Sequence, residues 1–185
     1  MFIIKNKYYL YIDNTSNFNL ELLKNIRKFI IIYRNTSIIE PYEIIKKFRL
    51  DCKKRKIKFY IANNFSLARK CKADGLYISS HNKKIYNNIN CIGSAHNFRE
   101  INHKVKQGCR VVILSRLFET IYKNKKGHYG VTKFNLISSK YKINIIPLGG
   151  INNSTLMSLK IIRSKGLAIL SAVKKKPTKI LSRLF

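Results

Sequence analysis

Eight short β-branched apolar runs recur along this 185-residue chain, most of them separated by a polar turn and a stretch with helical periodicity. The runs are Tyr8 to Asp13, Phe29 to Arg34, Lys58 to Asn63, Gly75 to Ser79, Cys91 to Ala95, Val111 to Ser115, Asn144 to Leu148 and Leu167 to Ser171. Most are nearly continuous in apolar character, as expected of parallel strands covered on both faces. Helical patterns fall at Leu20 to Lys28, Pro41 to Arg55, Ser66 to Lys72, Phe98 to Gln107, Thr132 to Ser139, Asn153 to Ser164 and Pro177 to Leu184. Pro41 and Pro177 suit first-turn positions, where a missing N–H costs nothing. Strict alternation of this kind predicts a single α/β domain over residues 1–185, a small (β/α)8 TIM barrel. An open doubly wound sheet is the alternative. His81 to Asn90 has room only for a turn, so the fourth helix should be degenerate, and the barrel centre should be dry and Ile-rich.

No apolar run approaches the roughly 18 residues that cross a bilayer. Met1 to Lys7 lacks the charged, apolar, small-residue order of a secretory signal, so a cytoplasmic protein with no membrane partner is expected. Cysteines 52, 71, 91 and 109 are too widely and evenly spaced for a metal-binding pair and are expected as reduced thiols. Thirty-eight Lys and Arg against eight Asp and Glu give a formal charge of +30. The lysines are spread along the chain among Ile and Asn, which reads as compositional bias on solvated faces. Such a surface still favours nonspecific polyanion binding that salt weakens. A basic RNA-binding barrel is the reading of a different class, although the 11 Tyr and 10 Phe are not interleaved with glycine and basic residues as RNA-recognition motifs require.

Ligands of such barrels sit at the C-terminal ends of the strands. The residues there are mostly polar or glycine: Asp13, Arg34, Asn63, Asn64, Ser79 to Asn82, Ser94 to His96, Arg116 to Thr120, Gly149 to Ile151 and Ser171 to Val173. Gly149-Gly150-Ile151-Asn152-Asn153 leads from the seventh strand into a helical stretch, and Ser171-Ala172 closes the eighth. Glycines that let backbone N–H groups approach an anion, followed by a helix start, make a phosphate-binding pattern.

Ala73-Asp74-Gly75-Leu76-Tyr77, Ile92-Gly93-Ser94-Ala95-His96-Asn97, Leu117-Phe118-Glu119-Thr120, Pro147-Leu148-Gly149-Gly150-Ile151 and Leu170-Ser171-Ala172-Val173 occur in an order that resembles the thiamine phosphate synthase/TenI family. The resemblance implies thiamine biosynthesis: a transferase joining hydroxymethylpyrimidine diphosphate to thiazole phosphate with release of pyrophosphate. It implies that Gly149, Gly150, Ser171 and Ala172 hold the thiazole phosphate, and that Ser94, Thr120 and Lys123 contact the diphosphate. Arg34 matches the Arg of the family's Gln-Leu-Arg-Glu-Lys signature, and Asn63 the Asn of its Asn-Asp pair. Arg34, Ser94 and Lys123 are the candidate catalytic residues, because a departing diphosphate needs cations and hydrogen-bond donors aimed at it.

The chain also departs from that pattern. Ile32 and Thr36 replace the signature's Gln and Lys. Asn64 and Asn82 stand where the family has the aspartates that ligate Mg2+, and neutral amides are poor ligands for a hard cation. The TenI branch, a thiazole tautomerase, lacks that metal pair too, but its catalytic His corresponds to Arg116, which does not exchange protons near neutral pH. A tautomerase and a noncatalytic thiazole-phosphate binder are therefore the alternatives within the family. His96 lies near the fifth strand's mouth, His81 and His128 in loops, and His103 on a helix face where solvation is expected. Asp13 is read as either a cap or a ligand contact. Lys83, Lys84 and Arg116 lie near the mouth as spare cations, and no Ser-His-Asp or Cys-His arrangement is apparent.

Overall fold

In a computed structural model of the chain, which describes residues 5–16, 18–23, 26–35, 39–120 and 127–169, eight parallel strands close into a barrel in sequence order. They are β1 (Lys7–Ile12), β2 (Phe29–Tyr33), β3 (Lys58–Ala62), β4 (Gly75–Ile78), β5 (Cys91–Ala95), β6 (Val111–Ser115), β7 (Asn144–Leu148) and β8 (Gly166–Ile169). β8 pairs with β1 through Lys7↔Gly166 to Leu10↔Ile169, which excludes the open sheet. The helices are α1 (Tyr42–Lys54), α2 (Phe65–Lys70), α3 (Phe98–Lys106) and α4 (Gly130–Ser139). Side-chain oxygens of Asn64 and Asn97 cap α2 and α3, satisfying donors that a helix start leaves unpaired.

Two predicted helices are replaced by 3-10 turns, Leu20–Leu22 with Ile26–Lys28, and Asn153–Thr155 with Met157–Ile161. Nine residues with Asn19 at their head are too few to sustain an α-helix alone. In the later stretch the side chains of Asn152 and Thr155 bond the local backbone, a competition that disfavours continuous helix. The predicted helix Pro177 to Leu184 lies outside the described residues. After β4 there is no helix, as expected of the degenerate fourth position.

Alternation along each strand divides the core into two shells. Tyr8, Leu10, Phe29, Ile31, Phe59 and Leu76 belong to the shell packed with the helices, whereas the barrel interior holds Tyr9, Tyr11, Ile30, Ile32, Tyr60, Tyr77, Ile92, Ile113, Ile146 and Ala168. Five of these ten are isoleucine, as expected of an Ile-rich centre, and four are tyrosine, which the apolar pattern of the runs does not foretell. Tyrosines fit because small residues face them: a Cβ on Gly75 would lie 2.3 Å from the Tyr60 ring, and one on Gly166 3.0 Å from that of Tyr9. Burial pushes the Tyr9 and Tyr60 phenols up to about 12. All four cysteines are free, and burial raises Cys52 and Cys109 to about 12, so these are inert core thiols. Among the described residues no helix is long and apolar enough to cross a membrane.

Candidate active site at the barrel mouth

The alternation that directs Ile32, Ile92 and Ile113 inward directs the next residues of that parity, Arg34, Ser94 and Ser115, toward the mouth of the lumen. Arg34 is still tied to the sheet, since its N–H donates to the Ile12 carbonyl at 2.8 Å. Beneath it Tyr11 and Tyr77 meet edge to face with their hydroxyls 3.2 Å apart. Burial holds the Tyr11 phenol well above its ordinary range and Tyr77 adds to this, while the positive charge of Arg34 pulls the other way. The guanidinium is exposed and its field reaches the lumen floor. Ser94 is buried at 9% exposure, so it combines an inward position with near-complete shielding.

On the far side the loop after β6 is laid against the loop after β7, backbone to backbone. Leu117 N–H donates to the Leu148 carbonyl at 2.9 Å, and Phe118 N–H to that of Gly149 at 3.2 Å. Gly149 and Gly150 have φ of 102° and 68°. A Cβ on Gly150 would stand 2.4 Å from the Glu119 carbonyl oxygen and 2.6 Å from the Phe118 carbonyl carbon. The pair of glycines is therefore required by the packing of two loops as well as suited to an anion. Asn152 accepts from Ser154 and Thr155 N–H, and Thr155 Oγ1 bonds Asn152 N–H and the Gly150 carbonyl. That leaves the Gly150 and Ile151 N–H groups with no acceptor among the described residues. Thr120 is held through its hydroxyl by Arg116 Nη1 at 2.9 Å. Lys123, Ser171 and Ala172 lie outside the described residues.

The rim of β3 and β4 is organised differently. Asn63, at φ 55°, accepts through Oδ1 from Ser79 N–H at 3.0 Å and from Asn82 Nδ2 at 3.3 Å. Asn64 Oδ1 accepts from Leu67 N–H at 2.9 Å, and Asn82 Oδ1 from Lys84 N–H at 3.0 Å. Both amide oxygens at the family's metal-ligand positions thus already accept N–H bonds, and neither carries charge. Mg2+ requires hard, anionic oxygens, and the residues present do not fit it. Among the described residues no group of three His, Cys, Asp or Glu is placed to hold a metal ion.

Three features went unread in the sequence. His96 Nδ1 lies 2.8 Å from Ser115 Oγ, a pairing that follows from the β5–β6 register, in which Ala95 faces Leu114. Glu100 takes the main-chain N–H of His96 at 2.8 Å, so this is a two-residue pair and no triad. His103 Nε2 is buried without a partner, against the expected solvation. Glu40, only 8% exposed, accepts from Thr15 N–H and hydroxyl at 2.8–3.0 Å and from Ser16 N–H and hydroxyl at 3.2–3.3 Å. Burial would raise its carboxyl, but these bonds and one from Tyr33 outweigh burial and hold it below the usual range.

A family model described as thiamine monophosphate synthase matches residues 9–173. The thiamine-phosphate synthase of Prochlorococcus marinus subsp. pastoris is 31% identical over 116 residues, 59% of this chain and 33% of that protein. That of Anoxybacillus flavithermus is 25% identical over 143 residues, 73% of this chain and 66% of that protein. The chain thus spans about a third of the Prochlorococcus relative's length. Among solved structures, a thiamine phosphate pyrophosphorylase from Pyrococcus furiosus superposes with a TM-score of 0.74 at 20% identity, over 97% of this chain and 93% of that one. Phosphoribosyl anthranilate isomerase from Thermotoga maritima gives 0.65 at 13% identity, over 96% and 94%. At these identities both likenesses speak for the barrel fold alone.

Proposed function

The chain belongs to the thiamine monophosphate synthase family, and we propose that its barrel joins a hydroxymethylpyrimidine diphosphate to a thiazole phosphate. In that reaction the carbon–oxygen bond to the diphosphate breaks, the oxygen keeps the electron pair, and pyrophosphate leaves as the pyrimidinylmethyl carbon bonds to the thiazole. The observation that carries the reading is the pairing of two anion-suited places across one lumen. Arg34, just past the end of β2, and the shielded Ser94 hydroxyl on β5 stand at the mouth. The Gly150 and Ile151 N–H groups, with no acceptor among the described residues, lie beyond β7. Preorganised donors of this kind act where charge develops on the departing group. Thr120 and Lys123 are assigned to the same diphosphate, and Ser171 and Ala172 to the thiazole phosphate, on the family pattern. Asn63, engaged with Ser79 and Asn82, shapes the pyrimidine side of the lumen.

Incubation of purified protein with both substrates, assayed for thiamine phosphate, tests the proposal. Arg34→Ala should lose roughly 100- to 1000-fold in rate, the usual consequence of removing one charge-stabilising group. A second reading, a thiazole-phosphate binder without transfer chemistry, is favoured by the neutral, committed amides of Asn64 and Asn82. Binding of thiazole phosphate with no product under any condition would select it. The +30 surface should also bind polyanions such as RNA without selectivity, and that binding should collapse as salt rises. Sequence-selective RNA binding that persists in salt would favour the RNA-binding reading instead.

A further inference from the structure

The segment after β4 has no helix to cover it, yet it is firmly held. Lys104, on α3, is fully buried, and its ammonium donates to the Ser79 carbonyl at 2.7 Å, the Asn82 carbonyl at 2.8 Å and Gln107 Oε1 at 2.8 Å. All three of its protons are used. Gln107 Nε2 in turn donates to the carbonyls of Asn82 at 3.1 Å and Lys84 at 2.7 Å. Gly93 on β5 makes the room: a Cβ there would lie 2.8–2.9 Å from Lys104 Cδ, Cγ and Cβ. A buried charge is retained only where such bonds repay its desolvation, and here every bond made by the ammonium fixes the loop that carries Asn82, or the glutamine that clamps it. Asn82 on this loop and Asn64 after β3, the two metal-ligand positions, hold amides whose oxygens already accept N–H groups.

Resting on the synthase reading, we propose that this site binds its diphosphate without a divalent cation, and that Lys104 is the positioning residue that orders the loop after β4, the place where a bound metal would otherwise fasten it. The ammonium is anchored from inside the protein and points at loop carbonyls, so it orders the loop whether or not ligand is present. It does not touch the substrate. The charge that meets the diphosphate comes from Arg34 and its neighbours.

Binding of inorganic pyrophosphate to the full chain, at moderate salt so that exposed lysines contribute little, tests this in chelator and in Mg2+. Thiazole phosphate is titrated in parallel as a reporter of the β7 side. Wild-type affinity for pyrophosphate should be the same within about threefold in the two conditions, less than the roughly 10- to 100-fold by which even a perturbed outer shell weakens a metal-dependent site. Lys104→Met should weaken pyrophosphate by about tenfold or more, as loss of a supporting residue does, and leave thiazole phosphate unchanged. If that variant fails to fold, Gln107→Ala, which releases Lys84 and one bond to Asn82, should show the same one-sided loss. Mg2+-dependent pyrophosphate binding would overturn the metal-free site. Equal loss of both ligands, or no loss of either, would overturn the positioning role. Wild-type protein that binds neither ligand would remove the synthase reading, and this inference with it.

Discussion

The two sides of the barrel mouth are fastened by different means. Beyond β6 and β7 the loops are joined main chain to main chain, with Leu117 on Leu148, Phe118 on Gly149 and glycine wherever a side chain would intrude. Beyond β3, β4 and β5 the fastening is done by side chains reaching backbone: Asn63 to Ser79, Asn64 to Leu67, Lys104 to Ser79 and Asn82, Gln107 to Lys84. Backbone geometry depends little on the side chains around it, whereas a fastening made by side chains is lost with single changes. The Gly149–Gly150 pair falls on the first side, and the neutral amides of Asn64 and Asn82 fall on the second.

The largest expected effect falls on the backbone-fastened side. Gly150→Ala should destabilise by roughly 2–4 kcal/mol, from a strained positive φ added to a clash with main-chain atoms of Phe118 and Glu119. Gly108 provides the control, with φ 79° and nothing within 4 Å of its would-be Cβ, so Gly108→Ala should cost only about 1–2 kcal/mol. Denaturant midpoints of the two variants measure the difference, and equal losses would mean that the loops do not press on Gly150. Substitution of Gly150 by a larger residue is a poor test of anion binding for the same reason, since the loop would fail first.

A side-chain fastener should also be sensitive to pH where a backbone one is not. Glu40→Gln should lose about 2 kcal/mol at neutral pH, because a charged acceptor of several bonds becomes a neutral one. Glu40 has a folded-state pKa below the ordinary value of about 4.3, so its contribution is complete above that value and is lost as pH falls through the lower, folded one. The stabilities of wild type and Glu40→Gln should therefore converge in acid. A constant gap would assign the effect to packing.

The strands, the closure and the missing fourth helix were legible because β-branched runs between polar turns specify parallel strands, and His81 to Asn90 is too short to supply a helix. The interior tyrosines were not, since near-continuous apolar runs hide which parity faces inward. Gly75 and Gly166 were the signal, as small residues standing beside rings. Lys104 escaped because a lysine in an amphipathic helix ordinarily lies in water. What betrays it is the combination of Gly93 on the neighbouring strand with an uncovered loop next to α3. Asn64 and Asn82 were legible as missing charges, but their occupation by N–H donors is a matter of three-dimensional placement.

Gly93→Ala probes the side-chain fastening from beneath, where the added methyl meets the first three carbons of a lysine pinned at its far end. Overpacking there should cost about 1–2 kcal/mol, measurable as a lower denaturant midpoint. The variant should also loosen amide exchange in residues 79–84 more than in residues 116–120. Uniform loosening would deny that Lys104 acts on one side of the mouth.

The smallest effect is the most informative about the metal position. Asn64 Oδ1 caps α2, so Asn64→Ala should lose about 1 kcal/mol, the usual worth of an N-cap. Asn64→Asp should lose nothing, because aspartate caps as well as asparagine and its charge suits a helix N-terminus. Retained stability in the Asp variant would mean that the fold itself does not select the amide, so that the missing carboxylate at this position reflects the chemistry of the site. An Ala variant as stable as wild type would instead mean that the cap contributes nothing, so that the Asn64 Oδ1 of the wild-type chain is free to turn toward the mouth, and would reopen position 64 as a cation ligand.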